Sequence, residues 1–577
     1  MQAYQQAYQS WLNAPELDAG LKGELTAIAG SQAEQEERFY TELEFGTAGL
    51  RGILGAGTNR MNVHVVRRAT QGLADYLRTF EGAAKRGVAI AYDSRHFSEA
   101  FALEAALVLA QNGVRAYLYS TLHSVPQLSY TILRLNCIAG IVITASHNPS
   151  EYNGYKVYWE HGGQVGPKQA ADIFEAMRRT GYFNVPRMGK QAALEQGLLR
   201  MIGQEVDEAY YASIETLLLN PALVRQKGAS LKLVYTPLHG SGCVPVREIL
   251  HRIGIENVSI VQEQAAPDGG FPTVQAPNPE DPQAFTLGEK LADRVGANVI
   301  LATDPDADRL GVAVRCTNGK FYVLTGNQIG SLLIHYILSV RATQGTLPAD
   351  GLVVKSIVST RMANAICAKY GVEIRDVLTG FRFISEQIAA CEAAGTPAFL
   401  FGFEESYGFL AGSFARDKDA VCAAMLLSEA CVYYGEQGKT LYDVLQDMYA
   451  IYGYFKESVK AYTLTGKAGI EKIAAALRAL REEPIRELAG IGVACAEDLL
   501  SGLCTYAGGR TEPVALPKAD VLRYTFTNGA WLCVRPSGTE PKLKLYIGAN
   551  AEKEADLDAL LSSLMRAADD RINTLLQ

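Results

Sequence analysis

Short runs of unbroken apolar residues recur along the chain, each followed by a polar cluster and then a stretch with helical spacing. The runs are GVAIAYDSR (87–95), AGIVITASHN (139–148), LKLVYTPLHG (231–240), NVILATDPDADR (298–309), GLVVKSIVST (351–360) and PAFLFGFEES (397–406). Apolar runs without alternation are what strands buried on both faces show. Their interleaving with helical stretches predicts α/β units with mostly parallel strands. The first 40 residues are rich in Gln, Glu and Ala and read as helices. From about residue 455 the texture changes: KESVKAYTL, the helical GIEKIAAALRALREEP, WLCVRPSGTE and KLKLYIGA predict an α+β terminal domain. The expected division has four parts. Residues 1–205 form α/β domain I with a helical extension, 206–325 α/β domain II, 326–455 α/β domain III, and 456–577 a C-terminal α+β domain. The stretch AAPDGGFPTVQAPNPEDP (265–282) reads as a Pro/Gly-rich loop rather than a linker.

Composition narrows the function classes. The chain has 577 residues, 48% of them hydrophobic, and a formal net charge of −8. That balance argues against a nucleic-acid partner, so any basic phosphate-binding residues must be local. Ten Cys with no C-x-x-C pair signal neither a zinc ribbon nor a redox motif, and read as reduced thiols of a cytoplasmic protein. The opening residues MQAYQQAYQSWLNAPELDAG have neither a basic n-region nor an apolar h-region, so no secretory signal is expected. No apolar run approaches the ~18 residues of a membrane span, so no membrane partner is expected.

The polar clusters fall at the carboxyl ends of the predicted strands, where open α/β sheets bind their ligands. Asp304, Asp306 and Asp308 alternate after NVILAT and can converge on one hard cation, Mg²⁺ or Mn²⁺ rather than zinc. A calcium-binding EF-hand would need Gly and Glu where Arg309 and Arg315 stand. In TASHNP (144–149), Ser146 stands at the mouth of a buried strand. It does not fit the G-x-S-x-G elbow of a hydrolase; an ST-turn is the plain alternative. Beside a cation, a phosphate on Ser146 would be neutralised and its ester oxygen polarised. NGYK (153–156) follows, in which Gly154 permits a tight turn and Lys156 supplies a cation. Near the end, RPSGTEPK (535–542) offers Arg535, Ser537, Gly538 and Thr539 to a phosphate, between two predicted strands. In GFEESYG (402–408), Glu404 and Ser406 can share one side and aim at sugar hydroxyls. No Walker-type loop is present, which argues against an ATP-dependent kinase.

Taken together, FGTAGLRG (45–52), TASHNPSEYNGYK (144–156), DPDADR (304–309), LTG (378–380), GFEESYG (402–408) and RPSGTEPK (535–542) resemble the α-D-phosphohexomutase superfamily in order and separation. The length, the helical extension and TPLHG (236–240) resemble its longer branch, which includes bacterial phosphoglucomutases and phosphopentomutase-like enzymes. The resemblance implies four domains around a central cleft, three related α/β domains with mixed sheets and a C-terminal phosphate clamp. It implies a phosphoserine at Ser146, with Mg²⁺ held by that phosphate and by Asp304, Asp306 and Asp308. It also implies Arg309 and Arg51 near the phosphate, His147 orienting the loop and Lys156 as the acid/base group. The sugar would be read by Glu404 and Ser406 with Thr379 and Gly380 nearby, and its second phosphate held by Arg535, Ser537, Gly538 and Thr539. One departure is Gly408, where some phosphomannomutases carry a His. The expected activity is an isomerase interconverting α-D-glucose 1-phosphate and glucose 6-phosphate through glucose 1,6-bisphosphate, in a monomer or weak homodimer. Pentose or mannose phosphates are the alternatives on this scaffold. Outside it stand a haloacid-dehalogenase-type phosphatase using Asp304, and a non-catalytic sugar-phosphate-binding protein.

Overall fold

The computed structural model describes residues 2–46, 49–464, 466–537 and 542–576. The chain folds as two compact units: Met1–Ile329 with Phe381–Leu441, and Gly330–Gly380 with Tyr442–Gln577.

The first unit holds two large mixed sheets. In one, Val88–Tyr92, Ala116–Tyr119, Ala139–Ile143 and Leu199–Ile202 run parallel. Leu50–Ile53 and Tyr152–Trp159 complete that sheet antiparallel. VAIAY and AGIVI are buried at every position, as their unbroken apolar runs predict. The second sheet has Leu233–Thr236, Val258–Ile260 and Val299–Thr303 in parallel. Leu310–Arg315 and Phe321–Val323 extend it antiparallel. The hairpin Ala398–Glu404 with Gly408–Ala411 also belongs to this unit.

One local expectation is corrected. Gly154 lies not in a turn but inside the strand Tyr152–Trp159. A Cβ there would sit 2.5 Å from the Thr144 carbonyl oxygen and 2.8 Å from that of Leu50. Glycine is needed because backbones close in from both sides, which seats this strand, and Lys156 on it, against the TASHNP segment.

The three N-terminal helices, Ala3–Leu12, Ala19–Ala27 and Gln32–Phe39, dock on the chain itself. Tyr8, Trp11 and Phe39 form their core, and the Trp11 ring meets those of His64, Tyr182 and Phe183 edge-on. Burying that much aromatic surface accounts for the docking without a partner.

The second unit contains the parallel pair Gly351–Ser356 and Glu373–Val377. Its larger sheet runs Tyr454–Thr463, Lys542–Ala551, Trp531–Pro536, Leu522–Phe526, Ile491–Asp498, Leu503–Tyr506, Thr511–Pro513, with every named pairing antiparallel. The helices Gly466–Glu482 and Glu554–Leu576 pack on it through Leu477, Leu480, Leu557 and Leu564. Among the described residues no helix is long and apolar enough to cross a membrane.

Candidate active site

The polar clusters of the first unit stand where strands end, as expected: Thr144 follows Ala139–Ile143 and Asp304 follows Val299–Thr303. Ser146 adopts a left-handed backbone, φ +53°, and is 3% exposed. Its amide donates to Thr144 Oγ1 at 2.9 Å. Its own Oγ donates to Asp304 Oδ2 at 2.9 Å and lies 3.2 Å from His147 Nδ1. The serine of one loop and the acidic triplet of another, 158 residues apart in sequence, are thus one site.

Asp304, Asp306 and Asp308 are buried and each offers a carboxylate oxygen within 4.8 Å of the others. Burial first, then the neighbouring carboxylates, pushes Asp304 upward. Asp308 is raised by burial and by Asp306. Burial acts the same way on Asp306, but the Lys156 ammonium at 2.8 Å outweighs it and holds this carboxyl below its ordinary value. Asp306 Oδ1 and Asp308 Oδ1 are buried without a hydrogen-bond partner. Like charges this close, with two unsatisfied oxygens and no sulfur or nitrogen donor, fit a hard divalent cation.

Cations surround the triplet. Arg309 Nη1 pairs with Glu280 at 2.7 Å. Arg51 donates to Asn148 Oδ1 at 3.0 Å, which ties the strand Leu50–Ile53 to the serine loop. Burial, with Arg309 and Arg51 nearby, pushes His147 well below its ordinary value. Lys418 was not singled out from sequence. It lies 3.2 Å from Asp308 Oδ2 and 2.9 Å from Asp417 Oδ1. Burial alone would lower Lys418, but Asp308, Asp417 and Glu404 raise it and keep it charged. Its aliphatic stem also explains Gly408: a Cβ at that position would stand 2.1 Å from Lys418 Cδ. The turn at 404–408 is attached to the loop of the acidic triplet by a backbone bond from Leu310 N to Tyr407 O, 3.1 Å. Glu404 is buried at the strand end and Ser406 is half-buried in the turn.

The remaining expected residues belong to the second unit. Thr379 keeps a buried hydroxyl with no partner among the described residues. Gly380 has φ +122°. Arg535 stands near the end of Trp531–Pro536, paired in register with Lys544. Ser537 N donates to Lys542 O at 2.7 Å, closing the two strands toward each other. Gly538 and Thr539 lie outside the described residues.

A strand-end serine hydrogen-bonded to an acidic triplet is an arrangement able to hold a cation beside a hydroxyl, which is what phosphoryl transfer requires. Four family models match the chain in sequence order. They are the three α/β/α domains of phosphoglucomutase/phosphomannomutase over residues 42–182, 208–319 and 325–452, and its C-terminal domain over 467–561. A phosphoglucomutase of Staphylococcus saprophyticus is 38% identical over 524 residues, covering 90% of this chain and 93% of that protein. The chain therefore belongs to the phosphoglucomutase/phosphomannomutase family of the α-D-phosphohexomutase superfamily. Solved structures agree on the fold. The open form of Paramecium pp63/parafusin, titled a phosphoglucomutase, superposes with a TM-score of 0.67 at 17% identity, covering 93% of this chain and 96% of its own. N-acetylphosphoglucosamine mutase of Aspergillus fumigatus, solved with GlcNAc-6P and magnesium, gives 0.52 at 12% identity, covering 99% of each chain. A serine-to-alanine variant of that enzyme, solved with glucose 1,6-bisphosphate, gives 0.50 at 13% identity with the same coverage.

Proposed function

We propose that the chain is a phosphoglucomutase, interconverting α-D-glucose 1-phosphate and glucose 6-phosphate through a phosphorylated Ser146 and glucose 1,6-bisphosphate. The observation that carries this reading is the 2.9 Å hydrogen bond from Ser146 Oγ to Asp304 within the acidic triplet. The relative at 38% identity bears the same activity in its name. The magnesium and bisphosphate in the Aspergillus structures are the ligands this scheme requires.

In this reading Asp304, Asp306 and Asp308 would hold Mg²⁺ beside Ser146, and the cation, when bound, would supply charge neutralisation and polarisation at the phosphoryl group. The sugar hydroxyl attacks the phosphorus, the O–P bond to Ser146 breaks, and a new O–P bond forms on the sugar. Lys156 relays the proton between attacking and leaving oxygens. Arg309 and Arg51 offset the charge that spreads over the phosphoryl oxygens. His147, whose Nδ1 lies 3.2 Å from Ser146 Oγ, orients that oxygen by hydrogen bonding. Glu404 and Ser406, with Thr379 and Gly380, read the sugar hydroxyls. Arg535 and Ser537, with Gly538 and Thr539, hold the phosphate that is not being transferred. The bisphosphate then turns over and returns its other phosphate to Ser146. The enzyme acts in the cytoplasm on a small phosphosugar.

The test is Ser146→Ala assayed with Mg²⁺ and a trace of bisphosphate on glucose, mannose and ribose 1-phosphates. Wild type should prefer the glucose compound, and the variant should lose at least about 10³-fold in kcat with its fold intact. Comparable activity in the variant would sink the serine scheme, and a preference for mannose or ribose would move the substrate.

A further inference from the structure

The phosphoserine reading leaves unexplained how a serine is kept at φ +53°. Nine non-glycine residues among those described have positive φ, and six of them are Ser146, Leu238, His239, Phe271, Ala307 and Tyr407. All six sit in the loops around the acidic triplet or in the Pro/Gly-rich loop beside them. Such backbone persists only where the surroundings over-determine it. Arg95 supplies that determination for the serine loop. Its Nη2 donates to the carbonyls of Ser146, at 2.6 Å, and Asn148. Its Nη1 donates to those of Pro149, at 2.8 Å, and Tyr152, at 3.0 Å. One planar fork therefore ties down four carbonyls of a seven-residue segment. Asp93 completes the frame: it lies 3.4 Å from Arg95 Nε and accepts from Thr144 Oγ1 at 2.6 Å, the same hydroxyl that receives the Ser146 amide.

The guanidinium is itself held from outside its own domain. The Phe271 ring covers it at 5.0 Å. Gly269 comes so close that a Cβ would stand 2.5 Å from His96 N and 2.9 Å from the Arg95 carbonyl carbon. This segment is anchored in turn by TPLHG. His239 reaches the Ala266 carbonyl at 3.2 Å and Thr273 Oγ1 at 2.9 Å, and Gln264 links Thr236 with Thr273. The next residue but one, Ser241, donates both its amide and its hydroxyl to the Pro305 carbonyl, each at 2.8 Å. A continuous path of contacts thus runs from the metal loop through 236–241 and 264–273 to Arg95 and the serine loop.

We propose that Arg95 is a positioning residue for phosphoryl transfer at Ser146, and that the 264–273 loop, anchored by His239, is the brace that fixes Arg95. The proposal rests on the reading of Ser146 as the phosphoryl carrier. Its physical basis is that transfer needs the donor oxygen, the cation ligands and the sugar in one fixed register.

Two substitutions test it in the full-length chain. Arg95→Lys keeps the charge and loses the planar fork. Phe271→Leu keeps apolar bulk and loses the ring face. We expect kcat to fall about 10²-fold for Arg95→Lys and about 10-fold for Phe271→Leu, with KM within about 3-fold of wild type. Amide hydrogen exchange across 144–152 in the sugar-free protein should speed up in both, while the strands Val88–Tyr92 and Ala139–Ile143 stay protected. Phe271→Leu with wild-type kcat and wild-type exchange over 144–152 would overturn the brace. Loss of activity only in step with loss of protection throughout the sheet would reduce both residues to general stability and overturn it too. A wild-type protein that isomerises no phosphosugar would instead overturn the mutase reading, and the exchange result would still judge the brace.

Discussion

Two charge clusters, one in each unit, use the same residue types to opposite ends. In the second unit, Asp376 pairs with Lys355 at 2.9 Å and with Arg523 at 3.1 Å, and Arg523 also pairs with Glu497. The signs alternate. Burial pushes Asp376 upward, but Lys355 and Arg523 outweigh it and hold the carboxyl below its ordinary value. In the first unit, Asp304, Asp306 and Asp308 face one another, and two of the three carboxyls are raised. An alternating network is complete as a piece of structure. The triplet carries Lys156 on Asp306 and Lys418 on Asp308, yet three carboxylates still face one another with two oxygens unpartnered, an excess of like charge that makes sense when a further cation completes it.

The largest effect that sharpens this contrast is Asp304→Asn. It should lower kcat about 10³-fold. It should also abolish the stabilisation by Mg²⁺, which in wild type amounts to about 2.7 kcal/mol at a hundredfold excess over Kd. The metal-free variant should unfold no earlier than metal-free wild type, because a like charge has been removed. A turnover assay checks the first and calorimetry with and without Mg²⁺ the other two, and a less stable metal-free variant would make the triplet a structural network like the other.

The matching change in the second unit is Asp376→Asn. It leaves Lys355, 2% exposed, and Arg523 without their shared anion. The expected cost is about 3 kcal/mol in urea unfolding at pH 7, with the Mg²⁺ response of the folded protein intact. The sign with pH follows from the lowered carboxyl. Its contribution is present above the unfolded value of 3.8 and is lost as pH falls through the lower folded value. The gap between wild type and Asp376→Asn should therefore narrow in acid, and a gap that widened would refute the pairing as its source.

A smaller effect probes the edge of the first cluster. Gly408→Ala places a methyl against the Lys418 stem and moves its ammonium off Asp308. We expect kcat/KM to fall about 10-fold, with about 1–3 kcal/mol lost in stability from the overpacking. Unchanged kinetics would show that Lys418 has room to move without consequence.

Much of the first cluster was legible beforehand because the chemistry is written in short local motifs. The unbroken apolar runs marked the buried strands, and the polar residues after them marked the strand ends where Ser146 and the acidic triplet meet. Ser146 and the three aspartates could be named from spacing and residue type. Gly154 was misplaced in a turn, since local sequence does not show which backbone will pass on the other side. Lys418 and Arg95 escaped notice for a related reason. An arginine in YDSR or a lysine in RDKD looks like any solvated charge until the fold buries it.

The sequence by itself determined the class of fold, the family and the candidate residues Ser146, Asp304, Asp306 and Asp308, because strand burial, motif order and residue type are properties of the chain read in one dimension. Only the tertiary structure decided which distant charges face one another and how Arg95 comes to hold the serine loop. Those facts depend on segments brought together across 50 to 160 residues, as Arg95 meets Ser146 and Ser146 meets Asp304. Burial, which sets the strength of every such contact, follows from the packing of the whole chain.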